Sequence, residues 1–515
     1  MCCHCNRREF LGISTAALAS ATFALNAAAI EPVTGGWNPE QPLVRLGKPL
    51  RVQPILMYRV AERKPQTSWK SWGGVQDEAS AQEESGRIAQ ELEALRGRAD
   101  FEVEFLAPRL VRSEEEAVQA SAGDFHATLI YPASGGGKTL NACAPDGKDA
   151  LIFVRHRSGP MYYFYESLST EYLRQNDREA PAGDPRRFSV DDVVVDETDE
   201  LLWRLRALYA VRNLRGTRVF TLGGSWGKYA PDAPRIAQEK FGLEIVEFGY
   251  EQFEPRLQAA LQDSAVMTRA AQAAERYLKL PGTSLETEKP FVVNAFVLHE
   301  LFKQLMAEHD CGAFTIKSCM GTIMPMAATT ACLTLETMND EGQIALCESD
   351  YVVVPAGILL RHLAQRPVFM HNSTFPHGGL VTCAHCTSPR RMDGQRYEPA
   401  RIVTHYESEY GAAPKVEFPI GQPLTFIDPE YTTGRWVGFR GKVQANPFYD
   451  ICRSQQEVTI EGDWRRLINE VRDSHWMMVY GDFLKEAGFA ARRLGLKWDN
   501  ITDGSLDGPH KDVIT

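Results

Sequence analysis

Acids, imidazoles and thiols crowd into one stretch of this chain. Residues 345–389 hold Glu348 and Asp350, then His371, then the cluster Cys383-Ala384-His385-Cys386. Carboxylate oxygens and imidazole nitrogens are donors for divalent cations, and the same groups can accept or deliver protons. The stretch is therefore expected to form the core of a site for a metal and a small polar substrate. Glu348 and Asp350 lie two apart, so on extended backbone both carboxylates would face one side. At a helix start Ser349 or Asp350 would instead serve as N-cap, and Pro355 limits how early that helix begins. His475 opens an apolar strand after Asp473-Ser474; a histidine there is either a hydrogen-bonded core residue or a distant partner for these acids. Cys383 and Cys386 form a single CxxC, so zinc there would need ligands from elsewhere; a disulfide or plain burial competes with that reading. His385 ends a strand, where an imidazole could meet a substrate. His371, His377 and His405 carry no comparable signal.

The elements that must position these groups fall into two patterns. From residue 42 to about 180, apolar runs at 50–57, 101–105, 127–131 and 150–156 alternate with helical patterns at 79–95, 113–121 and 162–174. A second alternating unit has helices at 199–213, 234–241, 252–278 and 291–308, with strands at 218–225, 243–248 and 313–318. Alternation of this kind implies parallel sheets covered by helices. The residues at 179–188, rich in Pro, Gly, Asp and Arg, read as a linker. After residue 389 the strands become short and regularly spaced, at 401–405, 415–418, 424–427, 436–442 and 456–460, which implies an antiparallel barrel or sandwich. A strand at 475–480 and a helix at 483–494 follow. The expected fold is α/β, with two Rossmann-like parallel-sheet domains (42–180 and 189–345). A C-terminal mixed domain (346–515) with an antiparallel β-barrel follows them.

Two glycine-rich segments fail as nucleotide motifs. Ser134-Gly135-Gly136-Gly137-Lys138-Thr139 has Pro132 where a phosphate loop needs its first glycine, and reads as a loop at a sheet edge. Gly223-Gly224 lacks the remaining glycines of a dinucleotide fingerprint.

At 515 residues the chain is long enough for about three domains. With 44% hydrophobic and 24% charged residues and a net charge of −11, the composition is that of a globular protein without a basic face. That disfavours nucleic acid or an anionic membrane surface as partner. Asn6-Arg7-Arg8-Glu9-Phe10-Leu11-Gly12 precedes an Ala-rich apolar run ending near Ala29. A paired arginine before a mildly apolar segment and small residues reads as a twin-arginine export signal over 1–29, too interrupted to be a stable membrane span. Periplasmic export is expected, with a cytoplasmic location as the alternative. Cys2, Cys3 and Cys5 would leave with the signal, and the other cysteines are scattered singly through apolar sequence.

Several segments, in order, resemble the L-fucose/L-arabinose isomerase superfamily. They are Cys347-Glu348-Ser349-Asp350 before a helix, Arg366-Pro367-Val368-Phe369-Met370, the strand 380–389, Cys452-Arg453, and Ser474-His475-Trp476 running to Tyr480-Gly481-Asp482. The similarity spans roughly residues 313–496. It implies a divalent metal, Mn²⁺, held by Asp350 and His475 with Glu348 as third ligand or base. It also implies a small carbohydrate substrate, aldose–ketose isomerisation through an ene-diol, and a homo-oligomer, trimer or hexamer. Glu348 and Asp350 are the expected catalytic residues, and His385, Cys319 and Trp476 are expected to meet the substrate. The sequence departs from the family pattern at the upstream carboxylate, because no Asp or Glu lies between Asp310 and Glu336. Either Glu348 has taken that role, or Cys319 has become a ligand or acid, or the isomerisation is lost. An epimerase or lyase sharing the ene-diol step, or a sugar-binding protein without catalysis, are the rival expectations.

Overall fold

Strand β1 (Leu50–Met57) buries every side chain except that of Arg51, as a strand covered on both faces of a parallel sheet must. The computed structural model describes residues 36–162, 188–431 and 434–504. The expected signal at 1–29, most of the helix at 162–174 and nearly all of the linker at 179–188 lie outside the described residues. Around β1 assemble α1 (Glu78–Arg98), β2 (Val103–Phe105), β3 (Arg109–Val111), α2 (Glu114–Ser121), β4 (Ala127–Pro132), α3 (Gly137–Ala142), β5 (Asp149–Val154) and β6 (Val193–Val195). The sheet order is β2-β1-β4-β5-β6, with β3 continuing beside the far end of β1, and all pairings are parallel. Asp77 caps α1 by accepting from the Ser80 N–H, and Ser113 caps α2 from the Glu116 N–H. The loop expected at 134–139 runs into the short helix α3.

After α4 (Thr198–Leu214) come β7 (Arg218–Leu222), α5 (Ala233–Phe241), β8 (Glu244–Phe248), α6 (Tyr250–Gln262), α7 (Ser264–Leu278) and β9 (Thr283–Leu285). They are followed by α8 (Lys289–Glu308), β10 (Ala313–Ile316), α9 (Ile323–Ala327), α10 (Cys332–Asp340) and β11 (Ala345–Cys347). The second sheet has order β11-β10-β7-β8, again parallel throughout. The single helical run expected at 252–278 breaks at Asp263, whose side chain accepts from Ala265 and Val266 N–H to start α7.

The third region contains α11 (Val354–Ala364), β12 (Phe369–Ser373), β13 (Leu380–His385), β14 (Ala400–Val403), β15 (Ala413–Val416), β16 (Pro423–Pro429) and β17 (Arg435–Ala445). β18 (Ser454–Ile460), α12 (Trp464–Glu470), β19 (His475–Tyr480), α13 (Leu484–Arg493) and β20 (Lys497–Asn500) complete it. Strands β16-β19-β12-β13-β18-β17 pair in that order, and β17 returns to β16, closing a six-stranded antiparallel barrel; β20 adds in parallel outside β17. Closure removes sheet edges.

The apolar run of β19 reads by alternate residues. Trp476, Met478 and Tyr480 belong to one core with Phe369, Phe426 and Phe439. Met477 and Val479 belong to another with α11 residues such as Leu359 and Leu363. The regions are also stitched together: β9 pairs with β14, more than a hundred residues later, and α4 packs on α11 and α13 as well as on β1. No helix among the described residues is long and apolar enough to cross a membrane.

Candidate metal centre

The carboxyl ends of β7, β10 and β11 lie side by side, the place where open parallel sheets bind ligands. The loop leaving β11 takes an unusual course, since Glu348 and Ser349 both have left-handed backbone, with φ of 64° and 50°. For residues with a Cβ this costs about 1–2 kcal/mol each. Trp226, in the loop after β7, holds the bend. Its N–H donates to Ser349 O at 3.3 Å, its carbonyl accepts from Tyr351 N–H at 2.9 Å, and its indole N–H donates to Glu348 O.

That bend delivers Asp350 into the interior, fully buried. Its Oδ1 accepts from the N–H groups of Lys228 (3.0 Å) and Val352 (3.1 Å), and its Oδ2 contacts His475 Nδ1 at 2.7 Å. The helix start expected here lies later: α11 begins at Val354 with Pro355 in its first turn, and the Asp350 carbonyl accepts from Val353 and Val354. Asp350 is thus committed to fixing a turn and one imidazole.

The His475 ring, held through Nδ1, presents Nε2 to Glu348 Oε2 at 3.4 Å, and that buried nitrogen has no hydrogen-bond partner. On the other side, His385 Nε2 lies 3.5 Å from Glu348 Oε1, while its Nδ1 meets the Thr387 hydroxyl at 3.2 Å. Glu348, His385 and His475 each offer one donor atom, and these atoms lie within 4.8 Å of one another. The barrel makes this possible: Asn372 on β12 pairs with His475 on one side and with Ala384, next to His385, on the other. Burial alone would raise the Glu348 carboxyl, but its close contacts with both histidines and their charges hold it far below its ordinary value. Burial would lower His475, yet its bond to Asp350 and its contact with the Glu348 carboxylate push it up to about 9.

One carboxylate between two outward-turned Nε2 atoms is a donor set for a first-row divalent ion. Asp350 behind His475 and Thr387 behind His385 are partners that fix tautomer and ring orientation. Glu348 and His385 line a cleft of about 570 Å³ whose wall also includes Trp226, Lys228, Lys317, Cys319, Asn372 and Glu407. Of these, sequence reasoning singled out only Cys319. Glu407 supplies a second carboxylate, from the loop after β14 rather than from upstream.

The structure brings Glu348, His385 and Cys319 to one cleft, and sets the buried His475, joined to Asp350, against Glu348. Trp476 departs from the expectation of substrate contact. It is wholly buried inside the barrel, donates to Asp473 O at 2.7 Å and packs edge-on against Phe439. The alternation of β19 turns it to the barrel core. Cys319 Sγ lies 3.9 Å from Cys347 Sγ; this contact, with burial, pushes the Cys347 thiol well above its usual range. Cys383 and Cys386 do not act as a pair: Cys383 packs among barrel residues, and Cys386 groups with Cys332 and Cys452. His371 sits in the barrel interior against Phe426 and Trp476, where burial pushes it down to about 3.

The sequence matches no protein-family model, and no curated protein matches it.

Proposed function

We propose that this protein is a divalent-metal-dependent enzyme acting on a small carbohydrate, catalysing aldose–ketose isomerisation through an ene-diol. Glu348, His385 and His475 would hold the ion, which is Mn²⁺ or a first-row ion of similar preference, and Asp350 would orient His475. The observation that carries this reading is the buried Nε2 of His475, without a hydrogen bond of its own and turned to Glu348 at 3.4 Å, with a second imidazole on the same carboxylate. When bound, such an ion polarises a carbonyl and its neighbouring hydroxyl and acidifies the C–H between them.

The chain's own residues account for the rest of the reaction. Asn372 and the ammonium groups of Lys228 and Lys317 line the cleft and can bind sugar hydroxyls and a developing oxyanion. Glu407, at the cleft wall, would take the proton from one carbon and return it to the next. This supplies the base that the stretch between Asp310 and Glu336 lacks. The left-handed pair Glu348-Ser349 holds the ligand carboxylate in place before substrate arrives, which is preorganisation. Export through the twin-arginine route and a homo-oligomeric assembly belong to the same proposal, on the strength of residues 1–29 and of the resemblance over 313–496.

The test is incubation of metal-loaded protein with a panel of aldoses and ketoses in D₂O. Isomerisation with deuterium entering the carbon next to the carbonyl is expected, and it is lost in Glu348→Gln and Glu407→Gln. Absence of exchange with every sugar sinks the ene-diol. Exchange with stereochemical inversion but no ketose replaces isomerase by epimerase.

A further inference from the structure

A second donor cluster lies on the same cleft wall, built from different elements and of different chemistry. Cys332 opens α10, Cys386 follows the end of β13, and His405 sits in the loop after β14. One donor atom from each lies within 4.8 Å of the others. All three are buried, with exposures of 4%, 2% and 5%. His405 Nδ1 is buried and has no hydrogen-bond partner. A fourth group comes from the turn before β18, where the half-buried Cys452 packs against Cys332 and Cys386.

The surroundings are arranged as they are around metal thiolates. The Arg453 N–H donates to Cys386 Sγ at 3.4 Å, a bond that favours a sulfur carrying negative charge. The Arg453 guanidinium donates to Thr404 O at 2.7 Å and lies over the Tyr406 ring. One residue therefore ties the turn carrying Cys452 to the loop carrying His405, as the hydrogen-bonding groups behind metal ligands do. A plain apolar packing of thiols explains neither an imidazole nitrogen left without a partner in the same cluster nor the bond to Cys386.

We propose that Cys332, Cys386, Cys452 and His405 form a site for a thiophilic divalent cation of the zinc class, separate from the site at Glu348. Three sulfurs and one imidazole nitrogen are a tetrahedral set for such an ion, with metal–sulfur distances of about 2.3 Å and metal–nitrogen distances of about 2.0 Å. Softness separates the two sites: thiolates select zinc, whereas the carboxylate–imidazole set accepts harder first-row ions. Each thiol that ligates releases its proton to solvent. With all four positions filled by protein the ion is structural. It pins the loop around His405, which carries Glu407, to α10 and to the turn at Cys452. The neighbours His385 and Cys386 feed the two sites from one strand end.

The experiment is metal analysis and Co²⁺ substitution of the full chain, purified without chelator. One zinc per chain is expected, together with a thiolate-to-cobalt charge-transfer band. That band is lost in Cys332→Ser and Cys386→Ser and is unchanged in Glu348→Gln. Because a serine variant can fail to fold, the wild-type protein is also titrated with a mercurial while a dye reports zinc, and release of one equivalent is expected as the thiols react. Any of three results overturns the proposal: no zinc released, a band that survives both serine substitutions, or a Cys386–Cys452 disulfide in metal-free protein. A band that disappears in Glu348→Gln would show the two donor sets to be one site. The sugar-exchange outcome is independent of all these readings, so the two proposals fail separately.

Discussion

The two parallel sheets of this protein, one of six strands and one of four, are both covered by helices, and among the described residues only the smaller is organised around a donor site. At the first sheet, polar groups near the strand ends serve their own loops. Asp196, itself left-handed at φ 60°, accepts from the N–H groups of His156, Arg157 and Ser158. The buried Glu84 is bound to Arg155 at 2.5 Å and to Tyr162 at 2.6 Å. At the second sheet, Ser318, Glu348 and Ser349 all have positive φ at strand ends, and the carboxylate there faces imidazoles that belong to the barrel. A parallel strand end provides a place for a ligand. It becomes a donor set where a separately folded layer brings the complementary groups to it.

That contrast can be broken by experiment. The largest effect on stability is expected in the first region: Glu84→Gln removes the buried carboxylate shared by Arg155 and Tyr162, leaving Glu91 on Arg155 at 2.7 Å, and should destabilise the protein by about 1.5–3 kcal/mol in denaturant titration. Metal binding should be unchanged under native conditions; a variant that is folded but has lost metal would show the regions to be coupled. In the second region, Glu348→Gln should weaken divalent-ion binding by about 100-fold or more, measured by calorimetry, with little change in stability, because its side chain is 36% exposed. Asp350→Asn keeps the shape and the bonds to backbone but loses the charge behind His475. A loss of about 10-fold in affinity is expected, and an unchanged affinity would remove Asp350 from its positioning role.

Acid distinguishes the regions more finely. Burial would raise Glu341, at the end of α10, but His299 and Lys303 hold it down at about 2 against an ordinary value of 4.5. A depressed carboxylate contributes stability above the unfolded value and loses it as pH falls through the folded one. The helices of the second sheet should therefore loosen between pH 4.5 and about 2, seen as hydrogen exchange in α8 and α10, and Glu341→Gln should flatten that dependence. The smallest effect concerns the glycine-rich segment of the first region. Lys138 lines a separate cleft with Glu114 and Asn141, and Lys138→Ala should leave both metal content and stability unchanged. Loss of a bound nucleotide in that variant would contradict the reading of 134–139 as an ordinary loop.

Much of this architecture was legible from residue patterns. Strand β1 was expected at 50–57, where it lies, because an unbroken apolar run has one reading in an α/β context. The density of donors between 345 and 389 pointed to the strand end at which Glu348 meets His385 and His475. What was not legible depends on distance in the chain. His405 and Cys452 occupy loops with no local pattern, and only the barrel and α10 bring them to Cys386. Helix α10 hid because all its residues are buried, Glu336 and Asp340 included, so it shows no amphipathic period. The left-handed turn at Glu348-Ser349 uses no glycine, and its stabilising partner, Trp226, lies over a hundred residues upstream. Trp476 was the opposite case. Its alternation with Met477 was in the sequence, and weighing that period would have placed it inside the barrel.

The parallel pairing of β9 with β14 bears on how the chain is made. Residues 283–285 leave the ribosome well before residues 400–402, and α4 must likewise wait for α11 and α13. The seams at β9 and α4 therefore close only after these later segments have emerged. A nascent chain halted before the barrel is complete exposes both unfinished seams at once. Premature termination should produce species that chaperones and proteases recognise, instead of a smaller stable protein.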